Sequence, residues 1–244
     1  MTLNDFFSYG FIGTYVYKHT DFSEWWHMGL IVLGVVLCII VPYLLGSINF
    51  AIVISKRWYG KDIREFGSGN AGMTNMMRTF GKSAAGFTLL GDALKAFVAG
   101  FFGYAVLGQY GVYIAGLFCI MGHIFPIYYR FRGGKGVVTA YVSILMCNPF
   151  VFLILLVLFV LIVLCTRYIS LGSIMCMLLY PVLLDRMEKI FNGATGAYVI
   201  IAMLIAALVI FMHRENIKRL LKGQENKFSF KKSVKTENEK KKDE

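Results

Sequence analysis

Charge is scarce in this chain. Only 16% of its 244 residues are charged, 57% are hydrophobic, and the mean hydropathy is +0.63. A soluble domain of this length needs far more polar surface, so composition excludes that class and points to a single bundle of membrane helices. Acidic residues are fewer than basic ones, 14 against 25, for a formal net charge of +11. Much of that excess sits after His213, in "KRLLKGQENKFSFKKSVKTENEKKKDE". No folded domain presents it, which argues against a nucleic-acid partner and for a solvated tail beside an anionic leaflet.

Other signatures are missing as well. The five cysteines form no C-x-x-C and have no histidine at metal spacing. They read as small core hydrophobes, with no disulfide, metal or cofactor expected. The N-terminus, "MTLNDFFSYGFIGTYVYK", has no basic region before its apolar stretch and is a poor signal peptide. Its aromatic residues suit a lipid boundary instead. "GKS" at Gly81–Ser83 invites a nucleotide-binding loop, but the first glycine of that motif would fall on Met76. No internal repeat is found.

What is present is a series of apolar runs. A hydrocarbon core of about 30 Å takes about 20 helical residues. Runs at 28–55, 84–107, 109–128, 150–166, 168–184 and 195–212 qualify, and a shorter one at 134–147 either crosses or re-enters. Basic residues decide between these options. Lys56, Arg57, Lys61, Arg64, Arg78 and Lys82 place the 56–83 loop inside. Arg130, Arg132, Lys135, Arg167 and the lysine-rich tail all fall inside only if the short run crosses. The expectation is an all-α polytopic membrane protein of seven transmembrane helices, the fourth short, with its N-terminus outside and its C-terminus cytoplasmic. Residues 1–27 form an interfacial extension, 28–222 the membrane domain and 223–244 a disordered basic tail.

This topology brings four polar stretches to one face. In "EFGSGNAGMTNMMRTFGKS" the glycines free the backbone to aim amides at an anion. Ser68, Asn70, Thr74 and Asn75 add donors, Arg78 can clamp a phosphate, and the helix starting near Ser83 adds its dipole. A plain connector would need neither the arginine nor the paired asparagines. In "GHIFPIYYRFRGGKG", Gly133, Gly134 and Gly136 surround Lys135, again a phosphate cradle, whereas His123 reads as a structural residue and Arg130 and Arg132 as membrane anchors. Asp92 and Lys95 share a helix face and read as an internal salt bridge. In "TRYISLGS", Ser170 and Ser173 cap the next helix or contact substrate. His213 and Asn216 lie on one face of a helix leaving the membrane, where a histidine can act as a base.

Taken in order, "GSGNAGMTNMMRTFGK", "GDALKA", "GHIFPIYYRFRGGKG" and "HRENIKRLLKGQE" resemble the membrane glycerol-3-phosphate acyltransferases that use acyl phosphate, the PlsY family, over roughly residues 30–225. The resemblance implies a seven-helix enzyme of the bacterial plasma membrane with its active site facing the cytoplasm, and a monomer is expected. It would transfer a fatty acyl group from acyl phosphate to the 1-hydroxyl of glycerol 3-phosphate, giving lysophosphatidic acid and phosphate for phospholipid synthesis. By the same resemblance, Ser68, Gly69, Asn70, Gly72, Thr74, Asn75 and Arg78 grip phosphate together with Lys135 and its glycines. Ser173, His213 and Asn216 hold the acceptor or promote its attack. Departures from the family pattern are Asn49 where proline is common, Met73 and Val138 where alanine is usual, and Ala96 where glycine is usual.

Two other readings compete. A transporter of an anionic solute would also need cytoplasmic anion loops, but it predicts matching halves and a polar path, and only Asp92–Lys95 offers one. Thioester-dependent acyltransferases carry H-x-x-x-x-D. Here the fifth residue after His19, His27, His123 and His213 is Glu24, Val32, Tyr128 and Lys218, which disfavours that class.

Overall fold

The computed structural model describes residues 3–18, 25–192 and 198–228, and among them every regular element is helical. The helices are α1 (Leu3–Lys18), α2 (Trp25–Ser47), α3 (Phe50–Tyr59), α4 (Met73–Phe80), α5 (Lys82–Ile124), α6 (Val137–Cys147), α7 (Pro149–Thr166), α8 (Ile169–Asn192), α9 (Tyr198–Met212) and α10 (Arg214–Leu221). Four segments are long and apolar enough to cross a membrane, and a fifth joins them if α9 and α10, bent by 59° at His213, count as one span. Their outward faces are large and apolar. Leu153, Val157, Leu161 and Leu164 on α7 are all exposed, Leu164 by 72%, which suits a hydrocarbon solvent and not water. The tail beyond Phe228 lies outside the described residues.

The element α5 is 43 residues long, about 65 Å as a straight helix and roughly twice a hydrocarbon core. It is not straight. Leu107 (φ −129°, ψ 20°) and Gly108 (φ 59°, ψ −142°) leave helical geometry, and the chain folds back there. A Cβ on Gly111 would stand 1.9 Å from the Gly103 carbonyl oxygen, so the two arms touch backbone to backbone. The reversal falls at the 107–109 turn that the apolar runs predict. The turn also receives α1, where a Cβ on Gly10 would meet the Gly108 nitrogen at 2.5 Å.

Small residues seat α2 against α5 in the same way. A Cβ on Gly46 would lie 2.1 Å from the Cys119 carbonyl, and one on Gly122 2.2 Å from that of Tyr43. Without a hydrophobic drive between helices in lipid, such close backbone approach is what holds membrane helices together. The main core lies between the second arm of α5 and α6–α9, around Tyr113, Ile144, Leu155, Met177 and Ile205. A second, small core of Ile52, Ile63, Ala71, Met76 and Ala84 underlies the 60–72 loop.

Two expectations are corrected and one is refined. The run at 28–55 falls in one apolar span, Trp26–Tyr59, but its helix breaks at Ile48–Asn49, where Asn49 caps α3 by accepting from the Ile52 amide (3.2 Å). The glycine-rich stretch is not wholly loop, since α4 begins inside it at Met73, ahead of the helix predicted near Ser83. Ser170 and Ser173 do not cap α8, which already starts at Ile169.

Candidate functional site

The 60–72 loop is built to be rigid. Asp62 caps the short turn at Ile63–Glu65 and pairs with Arg64 through two contacts, Nε–Oδ1 at 2.9 Å and Nη2–Oδ2 at 2.7 Å. These bonds from Arg64 hold the Asp62 carboxyl well below the usual range, against a smaller opposing effect of burial. The remaining nitrogen of Arg64 donates to the carbonyls of Tyr129 (3.0 Å) and Arg132 (3.1 Å), tying this loop to the 125–136 loop. Arg132 therefore does more than anchor the chain at the membrane: its backbone is one of the tie points.

Asn75 is the second organiser. Its amide donates to Phe66 (2.9 Å) and Ile63 (3.3 Å) carbonyls, and its Oδ1 accepts from the Ser68 amide (3.0 Å). The loop presses so closely on it that a Cβ on Gly67, where φ is +59°, would sit 2.2 Å from that oxygen. The side chain is spent on shaping the loop. Asn75→Asp keeps the acceptor but sets a carboxylate against two carbonyls. It is expected to weaken anion binding about tenfold or more and to open the loop to trypsin at Lys61 and Arg64, both readable by titration and limited proteolysis. Asn49, at a position where the related pattern has proline, also joins in: its Nδ2 donates to the Ala71 carbonyl (3.3 Å).

Above this floor opens a cavity of about 640 Å³. One end is polar. Ser68, Asn70, Gly72, Thr74, Asn75 and Arg78 reach it from the first loop and α4, Lys135 and Gly136 from the second, Ser173 from α8, and His213 and Asn216 from the α9–α10 bend. Gly72 begins α4 with no side-chain cap, which leaves the first amides of that helix to an anion. The other end is apolar, walled by Tyr141, Phe152, Leu156, Phe159 and Val163 of α6 and α7.

The cations are arranged around one carboxylate. Lys135 Nζ donates to Asn216 Oδ1 at 2.5 Å. Asn216 in turn donates to Glu225 (2.7 Å), which also accepts from Ser170 (3.0 Å) and Arg219 (2.7 Å). Burial brings the Lys135 ammonium down to about 8, with Arg219 and Arg78 adding repulsion and Glu225 opposing them. Burial also lowers Arg78, which stays charged as guanidinium does. Burial would raise Glu225, but its hydrogen bonds from Arg219, Asn216 and Ser170 outweigh that and leave it below its ordinary value.

His213 stands just past the end of α9 with Nδ1 2.8 Å from the Val209 carbonyl. A carbonyl only accepts, so Nδ1 carries the proton and Nε2 keeps a free lone pair. Burial, and then the Lys135 cation, depress its pKa to about 4, so the ring is neutral near pH 7. Ser173 donates to the Ile169 carbonyl (3.0 Å), which leaves its hydroxyl oxygen able to accept.

Of the expected site residues, Gly69, Gly133 and Gly134 are off the cavity wall. Packing explains the latter two. A Cβ on Gly133 would lie 2.0 Å from the His123 carbonyl, and one on Gly134 2.2 Å from His123 Nε2. Sequence reasoning missed Ser170 as a partner of Glu225, Arg219, Glu225 itself, and the presence of Asp92 and His123 on the wall. Glu225 lies past residue 222, where the sequence reading ends the membrane domain. Its one signal in the sequence is its place at the end of "HRENIKRLLKGQE", since the "GQE" after α10 carries no periodicity.

A family model described as glycerol-3-phosphate acyltransferase matches residues 36–223. A glycerol-3-phosphate acyltransferase of Finegoldia magna is 39% identical over 204 residues, covering 82% of this chain and 97% of the relative. One of Syntrophomonas wolfei is 43% identical over 191 residues, covering 78% and 95%. Among solved structures, PlsY, an integral membrane glycerol 3-phosphate acyltransferase in its glycerol 3-phosphate form, superposes with a TM-score of 0.72 at 36% identity, covering 80% of this chain and 96% of that one.

Proposed function

The chain belongs to the glycerol-3-phosphate acyltransferase family, and from that premise we propose that it transfers a fatty acyl group from acyl phosphate to the 1-hydroxyl of glycerol 3-phosphate. It is a membrane enzyme of phospholipid synthesis, and the transporter reading falls with that membership. The observation that supports this reading is the cavity, whose wall combines cationic and hydroxyl groups with apolar side chains. One donor molecule has both a phosphate for the cationic end and an alkyl chain for the apolar arm.

In this reading Arg78, Lys135 and the amides of Met73 and Thr74 receive the phosphates of both substrates, with Ser68, Gly69 and Asn70 completing the turn and Gly72 opening α4. The segment carrying Gly133, Gly134 and Gly136 presents Lys135, and Asn75 holds the first loop in shape. Ser173 and Asn216 orient the acceptor. Its 1-hydroxyl oxygen attacks the acyl carbonyl carbon, the bond from that carbon to the phosphate oxygen breaks, and phosphate leaves. The hydroxyl proton passes toward the lone pair of His213 Nε2. A base this weak serves because acyl phosphate is already activated, so positioning and charge stabilisation carry most of the catalysis.

The topology proposed with it has seven crossings, α6 being the short fourth, with the N-terminus outside and the tail in the cytoplasm of a bacterium. Residues 28–222 plus the Glu225 segment form the catalytic domain. The fold-back at Leu107–Gly108 and the basic loops support this. The enzyme is proposed to act as a monomer.

The test is phosphate release by purified protein given palmitoyl phosphate and glycerol 3-phosphate, with palmitoyl-CoA as the parallel donor. Release that needs both substrates is expected. Turnover with the thioester alone would overturn the donor assignment.

A further inference from the structure

We propose that Asp92, Lys95 and His123 are positioning residues of the phosphate site, acting through Lys135. The inference rests on the reading of Lys135 as a phosphate contact.

Asp92 and Lys95 are buried on the first arm of α5, at 2% and 3% side-chain exposure, with Nζ–Oδ1 at 2.8 Å. The salt bridge expected from their spacing is formed. A buried pair of this kind contributes little that well-packed apolar side chains would not, so its presence inside a membrane segment calls for another reason. An ammonium has three N–H groups. Lys95 donates to the Ile48 carbonyl (2.6 Å) and to His123 Nδ1 (3.0 Å), and its charge pairs with Asp92, whose Oδ1 has no hydrogen-bond partner among the described residues. Ile48 sits at the break between α2 and α3, where its carbonyl has left the helical ladder. One side chain thus joins the broken helix, the first arm of α5 and the end of the second arm.

The cluster reaches Lys135 through His123. Because Nδ1 accepts from an ammonium, the neutral ring carries its proton on Nε2, and its orientation is set. The Nε2 edge lies against Gly134, at 2.2 Å from where a Cβ would be. The Gly134 amide donates to the His123 carbonyl (3.1 Å), and that of Gly133 to Ile124 (3.0 Å). Lys135 is the next residue, and it lines the same cavity as Asp92 and His123. A change in the cluster therefore reaches Lys135 across one layer of atoms.

The experiment is calorimetric titration of glycerol 3-phosphate into the protein in detergent micelles, in wild-type and Lys135→Ala backgrounds. Elution volume and Tm serve as the check on folding. Asp92→Asn combined with Lys95→Met removes both charges together. His123→Asn keeps an acceptor for Lys95 but removes the ring edge under Gly134. Each is expected to weaken binding about tenfold in the wild-type background and to add under about twofold once Lys135 is gone, since residues acting through one group are not additive. An equal loss in both backgrounds, or no loss in a folded variant, overturns the proposal. So does failure of both variants to fold, which would assign the cluster to folding alone. If Lys135→Ala binds as wild type does, the phosphate reading itself is wrong, and the positioning role goes with it.

Discussion

Lys135→Ala is expected to lower kcat/KM for glycerol 3-phosphate by about 10²–10³ while leaving a folded protein. Removing one partner of a desolvated, hydrogen-bonded charge pair costs about 2–5 kcal/mol, and about 1.4 kcal/mol is a factor of ten. On the proposed reading the loss is a phosphate contact in a buried site. Arg78→Ala is expected to act alike, because burial and neighbouring charge bear on both groups. The pH dependence separates Lys135 from Arg78. A lysine is charged below its pKa, and that of Lys135 is about 8 in the free protein. Its proposed contact with phosphate is therefore expected at neutral pH and lost as pH rises through that value. Since kcat/KM reports the free enzyme, it should fall above about pH 8, while kcat holds to higher pH because bound phosphate favours the ammonium. Lys135→Arg should abolish that alkaline fall, as a guanidinium stays charged. Steady-state rates from pH 6.5 to about 9.5 check all three statements, and a flat wild-type profile would contradict the assignment. The low value for His213 predicts no loss of a neutral Nε2 acceptor until pH approaches about 4.

Gly111→Val is expected to leave no folded, monodisperse protein in detergent. The Cβ would stand 1.9 Å from the Gly103 carbonyl oxygen. Ordinary overpacking costs about 1–3 kcal/mol because side chains can shift. In this case the obstacle is the backbone of the opposite arm, and relieving it means parting the two halves of α5. Gly29→Ala is the control, since nothing lies within 4 Å of a Cβ there. Fluorescence-detected size-exclusion chromatography after solubilisation should give a sharp peak for Gly29→Ala and only aggregate for Gly111→Val. A sharp peak with unchanged Tm for Gly111→Val would mean that the arms do not meet at these glycines.

Both predictions draw on residues of unequal legibility. Lys135 is marked by its glycines and Arg78 by its polar setting between apolar runs. Gly111 carries no mark, since a glycine in an apolar stretch reads the same whether it faces lipid or another backbone. Gly133 and Gly134 illustrate the reverse error. A glycine-flanked lysine suggests a cradle, yet these two glycines are required by the His123 backbone and ring. Asn75 likewise reads as a phosphate donor, while its amide is consumed by Phe66 and Ile63.

Sequence alone determined the solvent, the helical class and the identity of most polar groups that line the cavity. Those follow from properties local to the chain: the length of apolar runs, the side on which basic residues fall, and clusters of glycine, hydroxyl and amide residues that no lipid-facing helix would hold. Tertiary structure decided the partners. Glu225 meets Ser170 across 55 positions, Lys95 meets the Ile48 carbonyl across 47, and Lys135 meets Asn216 across 81. No periodicity encodes such distances, because a side chain's hydrogen bonds depend on which helices pack together and at what height. That packing is set by backbone contacts at Gly46, Gly103, Gly111 and Gly122, where the deciding feature is the absence of a side chain.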